Sequence, residues 1–145
     1  MAIKPIKEKS ELKACASILM AAYNAEPWND KWTHESALAK LECFYVSPKF
    51  HGWMLFEGDE LQGACVGNIE PYYTGDYFYL KEMFVSPKVQ RKGTGRMLFE
   101  RIKSDLVNLK IEMVVLFTSN ESYPFDFWKK EGFEEMNGMR MMAHM

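Results

Sequence analysis

Apolar residues recur along this chain in different rhythms, and each rhythm predicts an element. Leu12, Cys15, Leu19 and Ala22 fall on one face of a helix. Ser10 is placed to cap its start, and the helix is expected to fade near Asn24 and end before Pro27. A second helix is expected to open at Thr33, with Glu35 where the helix dipole favours negative charge, and to continue through Leu38, Leu41 and Tyr45 toward Pro48. Ahead of both, Ile3 to Ile6 reads as a short edge strand in which Pro5 is tolerable.

From Trp53 the pattern changes to aromatic and β-branched runs. Trp53-Met-Leu-Phe ends at a Gly58-Asp59 turn, so it should form a hairpin with the long strand Leu61 to Tyr73, and Tyr77 to Val85 is a third strand. Ser86-Pro87 stops it. After Gly93-Thr94-Gly95, the residues Leu98, Ile102, Leu106 and Leu109 mark an amphipathic helix. Met113-Val-Val-Leu-Phe suits a buried parallel strand, Phe125 to Lys130 a short helix closed by Gly132, and Phe133 to Met145 one or two final strands. The order is β-α-α-β-β-β-α-β-α-β-β. It is a mixed α/β fold, with a right-handed crossover expected near residues 77–117.

Composition narrows the function classes. The 145 residues suit one domain over 1–145, and 48% hydrophobic content supplies a packed core. Basic and acidic residues are balanced, 18 against 20, so no basic surface for nucleic acid is expected. The charged, interrupted N-terminus reads as carrying no export signal, and the apolar stretch Ile18 to Ala22 is too short for a bilayer, so no membrane partner is expected. Cys15, Cys43 and Cys65 form no CxxC pair and lie in apolar company, which reads as buried free thiols in a cytoplasmic protein. His34, His51 and His144 have no ligand-like spacing, so no metal is expected.

The chemistry concentrates in Leu80-Lys-Glu-Met-Phe-Val-Ser-Pro-Lys-Val-Gln-Arg-Lys-Gly-Thr-Gly-Arg. A strand leads through a two-glycine loop into a helix. The glycines let backbone N–H groups converge, the helix start adds unpaired donors and partial positive charge, and Arg91, Lys92 and Arg96 add cations. This is a cradle for an anion such as a pyrophosphate. An ordinary glycine turn with solvated cations fits the same residues, and neither GxGxxG nor GxxxxGK[ST] is present.

Gln90-Arg-Lys-Gly-Thr-Gly resembles the Q/R-x-x-G-x-G/A motif of GNAT-type N-acetyltransferases, placed as in that family after the strand ending Met83-Phe84-Val85. A second block, Ser119-Asn120 and then Phe127-Trp128-Lys-Lys-Glu-Gly132-Phe133, is similar to the family's Asn…F/L-Y-x-K-x-G-F segment. The resemblance implies acetyl-CoA as co-substrate. Its pyrophosphate would meet the amides of Arg91, Lys92, Gly93, Thr94, Gly95 and Arg96. Its pantetheine arm would lie beside Met83, Phe84 and Val85, where family members splay two parallel strands, often at a bulge. Asn120 would face the arm from the neighbouring strand, and Phe127 and Trp128 belong to the matched block that completes the cofactor site.

The resemblance also implies direct attack of a primary amine on the thioester, with no cysteine nucleophile. Deprotonating an amine of pKa near ~10 costs about 4 kcal/mol at pH 7, which a general base would offset in part. Glu82 is the candidate base. By strand alternation it should share a face with Leu80 and Phe84, and a strand Glu paired with a neighbouring cation is the alternative. A backbone N–H near Phe84 would polarise the carbonyl. Many family members place a general-acid Tyr where this chain has Trp128. Tyr123 is the candidate substitute; its alternatives are a loop anchor and a thiolate that leaves unaided.

For the acceptor, Glu26-Pro-Trp-Asn-Asp-Lys-Trp resembles a stretch of aminoglycoside N-acetyltransferase-like members. Trp28 and Trp32 offer ring faces to a cation or sugar, Glu26 and Asp30 attract ammonium groups, and a loop packed by two tryptophans fits equally. Ribosomal-protein N-terminal acetyltransferases carry a glutamate where this chain has Val115, which disfavours a peptide N-terminus. The leading expectation is acetyl transfer to a small cationic amine. Peptide or protein amine acetylation and a catalytically silent acyl-CoA sensor are the alternatives, and the exposed edge near the C-terminus is compatible with a homodimer.

Overall fold

The computed structural model describes residues 1–120 and 122–145, with only the backbone at Ser122. Strand β1 (Ala2–Pro5) leads through a 3-10 turn to helices α1 (Leu12–Tyr23) and α2 (His34–Tyr45). Strands β2 (Phe50–Glu57), β3 (Glu60–Glu70) and β4 (Tyr77–Val85) follow, then α3 (Thr94–Asn108), β5 (Met113–Val115) and α4 (Ser122–Lys130). The strands form one sheet in sequence order, antiparallel except for the parallel β4–β5 pair joined through α3.

The local signals hold in the main. Thr33 caps α2 by accepting from the Ser36 N–H, Gly58-Asp59 closes the β2–β3 hairpin, and Gly132 (φ +96°) ends α4. Ser10 does not cap α1. It lies inside a 3-10 turn opened by a capping box between Glu8 and Glu11, because Glu11, one residue before α1, reaches back to the Glu8 N–H.

Each face of the sheet carries its own core. Helices α1 and α2 pack Leu12, Leu19, Ala37 and Leu41 against Met54, Ala64, Val66 and Phe84. On the opposite face α3 packs Leu98, Phe99, Ile102 and Leu106 against Trp53, Leu55, Phe78 and Leu80. Leu109 falls outside this core, at 48% exposed, because it is the C-cap and Ile111 turns inward instead.

Three sequence expectations need correction at the edges of these cores. Strand β5 is parallel but not buried: it is three residues long, and Met113 is 47% exposed. Residues 133–145 form no strand among the described residues, so none of them pairs with β5 as a further strand of the sheet. Cys15 and Cys65 are buried, whereas Cys43 is exposed because it lies on the outer side of α2.

One irregularity positions the site. Opposite β3, Gly67 pairs with Leu80 but Val66 pairs with Glu82, so Lys81 is an extra residue in β4. This β-bulge inverts the alternation. Phe78, Leu80 and Met83 pack on the α3 side, while Phe84 turns to the α1 side. Glu82 therefore shares a face with Phe84 but not with Leu80, correcting the expectation from regular alternation.

Candidate active site

Past Val85 the chain is tied down at several points before it enters α3. The Ser86 N–H donates to the Gln62 carbonyl (2.7 Å), Gln90 Nε2 donates to the Val85 carbonyl (3.0 Å), and Thr94 Oγ1 donates to the Val89 carbonyl (2.9 Å). Between these ties Arg91 (φ +60°) and Gly93 (φ +78°) adopt left-handed backbone. Left-handed residues among right-handed ones turn successive N–H groups toward one side, and the amides of Thr94, Gly95 and Arg96 begin a helix and so have no intrahelical acceptor. Gly95 packs closely: a Cβ there would stand 3.2 Å from the Phe127 ring, so that ring would have to shift by a few tenths of an ångström to admit one.

The loop, Met83 to Val85 of β4 and α4 enclose a cleft of about 470 Å³. The loop, with Arg91 and Arg96, lines it together with the apolar side chains of Met83, Phe84, Val85, Phe127 and Trp128. Strand β5 pairs only with Tyr77 to Tyr79, so it leaves β4 before the cleft begins. Helix-start donors, cations and apolar walls in one cleft fit a ligand with a diphosphate and a narrow arm, which is the chemistry of acetyl-CoA. Two carboxylates also line this cleft: Asp126, and Glu131, whose side chain is only 6% exposed and lies 4.0 Å from Arg96 Nε.

A second cleft, about 250 Å³, meets the first and shares Tyr23, Trp28, Met83, Pro124 and Trp128 with it. Glu82 lies here, and Tyr23 Oη donates to Glu82 Oε1 (3.3 Å) and to the Met83 carbonyl (3.2 Å). Burial pushes the Glu82 carboxyl up to about 7; Lys40 and the Tyr23 hydrogen bond oppose that rise, and Asp30 adds to it. Burial, with Glu82 beside it, holds the Tyr23 phenol well above its ordinary range. Across the cleft, Asn24 accepts from the Trp32 N–H (2.8 Å) and donates to the Trp32 carbonyl (2.9 Å). Trp32 Nε1 in turn donates to Asp30 Oδ2 (3.0 Å), and the Trp28 ring meets Tyr23 edge-on at 5.2 Å.

The expected site residues are thus divided among several places. Met83, Phe84, Val85, Arg91, Gly93, Thr94, Gly95, Arg96, Phe127 and Trp128 line the larger cleft, and Trp28, Asp30, Trp32 and Glu82 the smaller. Tyr123 lines the larger cleft with its ring 4.7 Å from the Arg91 guanidinium. Three residues line neither cleft. Lys92 and Glu26 are exposed, and Asn120 stands exposed five residues beyond Val115, where β5 has already ended.

Sequence reasoning missed Tyr23, Asn24 and Lys81. Tyr23 had a signal, since it lies four residues after Leu19 on the buried face of α1. The thiols add no nucleophile to either cleft. Burial pushes Cys15 up to about 12 and Cys65 well above its usual range, and Cys43 lines neither cleft. Among the described residues no group of His, Cys, Asp and Glu is arranged to hold a metal, and no helix is long and apolar enough to cross a membrane.

No curated protein matches the chain. Solved structures do, at identities that carry the fold alone. An aminoglycoside acetyltransferase from an uncultured soil metagenomic sample, solved with sisomicin, superposes with a TM-score of 0.77 at 13% identity, covering 99% of this chain and 95% of that one. The apo aminoglycoside 6'-N-acetyltransferase of Acinetobacter haemolyticus gives 0.73 at 16% identity, covering 100% and 99%. A possible acetyltransferase of Clostridium difficile gives 0.79 at 14%, covering 100% and 98%. The family model for the acetyltransferase (GNAT) domain matches residues 19–144, nearly the whole of the folded chain. The protein therefore belongs to the GNAT acetyltransferase family.

Proposed function

We propose that this protein transfers an acetyl group from acetyl-CoA to a primary amine of a small cationic acceptor by direct attack, with Glu82 as general base. The observation that carries the proposal is the position of Glu82. Its carboxyl lies beside the join of the two clefts, on a partner, Tyr23, that lines both. Acetyl-CoA supplies the activated acyl group as a thioester. The protein's part is to bind, orient and move a proton.

The loop amides with Arg91 and Arg96 would hold the diphosphate, with Lys92 contributing charge from outside the cleft. Met83, Phe84, Val85, Phe127 and Trp128 would line the arm. On the acceptor side Trp28, Trp32 and Asp30 receive the ammonium group, and Glu26 and Asn120 would act from the periphery. A carboxyl at about 7 is half ionised at neutral pH, so it accepts a proton without being trapped in either form. Proton transfer of this kind is worth about 10²–10⁴ in rate. Tyr123 would serve as acid only if its ring left Arg91; where it stands, it anchors the loop.

Aminoglycoside acetyltransferases among the similar folds, and the acidic and aromatic lining of the smaller cleft, support a small-molecule acceptor over a peptide. A soluble cytoplasmic setting accords with this reading. The test is thiol release from acetyl-CoA with a panel of diamines, aminosugars and N-terminal peptides. Amine-dependent release in the small-molecule arm is the expected result. Binding of acetyl-CoA by calorimetry without release from any arm would favour an acyl-CoA sensor.

A further inference from the structure

Neighbouring residues of a regular strand point to opposite faces, yet the smaller cleft is lined by the consecutive residues Leu80, Lys81, Glu82 and Met83, two of them charged. The bulge makes this possible. Lys81 has no partner of its own in the pairing with β3, which frees its side chain to enter the same space as the carboxylate beside it. The charged residues lining this cleft are Asp30, Lys81 and Glu82, two acids and one base.

Among the described residues, the lysine is not consumed by a structural ion pair. Its ammonium rests 3.4 Å from the centre of the Tyr79 ring and has no carboxylate partner among the described residues. Glu70, the acid near Tyr79, accepts instead from Tyr77 Oη at 3.1 Å. A cation on an aromatic face at a partly exposed site is held less firmly than one in a charge-assisted hydrogen bond. An anion entering the cleft would therefore draw Lys81 from the ring.

Resting on the acetyltransferase reading above, we propose that Lys81 reads a carboxylate carried by the acceptor beside its reacting amine, so that the acceptor is an amino acid or another small carboxylated amine. The ammonium end lies toward Glu82 and Asp30, and the carboxylate end toward Lys81. Such an acceptor is still cationic when it carries a second amine. The two poles of the cleft fix its orientation, presenting the amine and not the acid to the junction with the larger cleft.

Matched pairs that differ by one carboxylate test this: lysine against cadaverine, histidine against histamine, and phenylalanine against phenethylamine. Thiol release from acetyl-CoA gives kcat/KM for each, and calorimetry in the presence of coenzyme A gives acceptor affinity independently of turnover. The wild type is expected to favour the carboxylated member of at least one pair by about tenfold in both readouts. Lys81→Ala should erase that preference, Lys81→Glu should invert it, and Lys81→Arg should retain it, which excludes a folding defect. Equal ratios in wild type and Lys81→Ala would overturn the proposal while leaving the transferase reading intact. Absence of release with every amine, including the aminosugars and peptides above, would overturn both.

Discussion

The two clefts are built by opposite means. The larger draws its anion-binding groups from the backbone of one continuous run of chain, residues 83–96, where a helix start and two left-handed residues supply the chemistry, and side chains of α1 and α4 complete its walls. The smaller is made from side chains brought together from α1, the 24–32 loop, a bulged strand and the segment after β5. A backbone site tolerates changes of side chain but not of dihedral angle. A side-chain site should fail abruptly when one group is removed, and shift its preference when a neighbour is.

The largest expected effect is on the side-chain cleft. Glu82→Gln retains an acceptor for Tyr23 Oη but no base, so kcat/KM should fall by about 10²–10⁴ with acetyl-CoA affinity unchanged. In the wild type, activity should rise with pH through about 7 as Glu82 ionises, with Lys40, Tyr23 and Asp30 setting that midpoint, and Gln should flatten this limb. An unchanged profile would remove Glu82 from the chemistry.

The same substitution should move stability the other way. The folded state holds the Glu82 proton more tightly than the unfolded chain, whose carboxyl titrates near the ordinary 4.5. The stability this provides is complete below 4.5 and is lost as pH rises through about 7. Glu82→Gln removes that loss. At pH 8 it should unfold at higher denaturant than the wild type, by up to roughly 3 kcal/mol, and the gap should close at pH 4. A carboxylate that costs stability while supporting turnover is a mark of function. Equal stability at both pH values would mean that Glu82 is well solvated.

The backbone cleft should respond more mildly. Gly93→Ala meets no side chain, since a Cβ there has nothing within 4 Å, but a left-handed φ of +78° costs an alanine about 1–2 kcal/mol. Relaxing that angle turns the first amides of α3 away from the cleft, and acetyl-CoA should bind about tenfold more weakly by calorimetry. Gly93→Asn, which tolerates the left-handed region, should recover most of the loss. If both variants bind equally poorly, the glycine acts through space and not through conformation.

This contrast also explains how much could be read from the sequence. A contiguous strand-loop-helix announces itself by glycine spacing and flanking hydrophobic rhythm, so the loop of the larger cleft and the elements from α1 to α4 were legible, whereas Tyr23 was missed there and Lys92 and Asn120 line neither cleft. The smaller cleft was legible only in pieces. Trp28, Asp30 and Trp32 stood out as residue types, but nothing local brings Tyr23 to Glu82, 59 positions away, and period-two alternation cannot foresee an extra residue at Lys81. The tail failed for a different reason. A segment forms a strand only where an edge pairs with it, and β5, three residues long, offers residues 133–145 almost none.

The smallest effect isolates a support of the smaller cleft that sequence reasoning passed over. Asn24 follows α1 directly and returns two hydrogen bonds to the backbone of Trp32, which fixes the loop carrying Trp28 and Asp30. Asn24→Ala removes both bonds at an exposed site, where water replaces them in part, so the stability loss should be only about 1 kcal/mol. The loop then samples more positions before an acceptor arrives, and ordering it draws on binding energy. KM for the acceptor should rise about threefold while kcat and acetyl-CoA affinity stay near wild type, because Glu82 and its tie to Tyr23 do not depend on Trp32. A fall in kcat instead would mean that the loop orients the amine for reaction as well as binding it. The smaller cleft would then be a single cooperative unit, not a base with a separate binding wall.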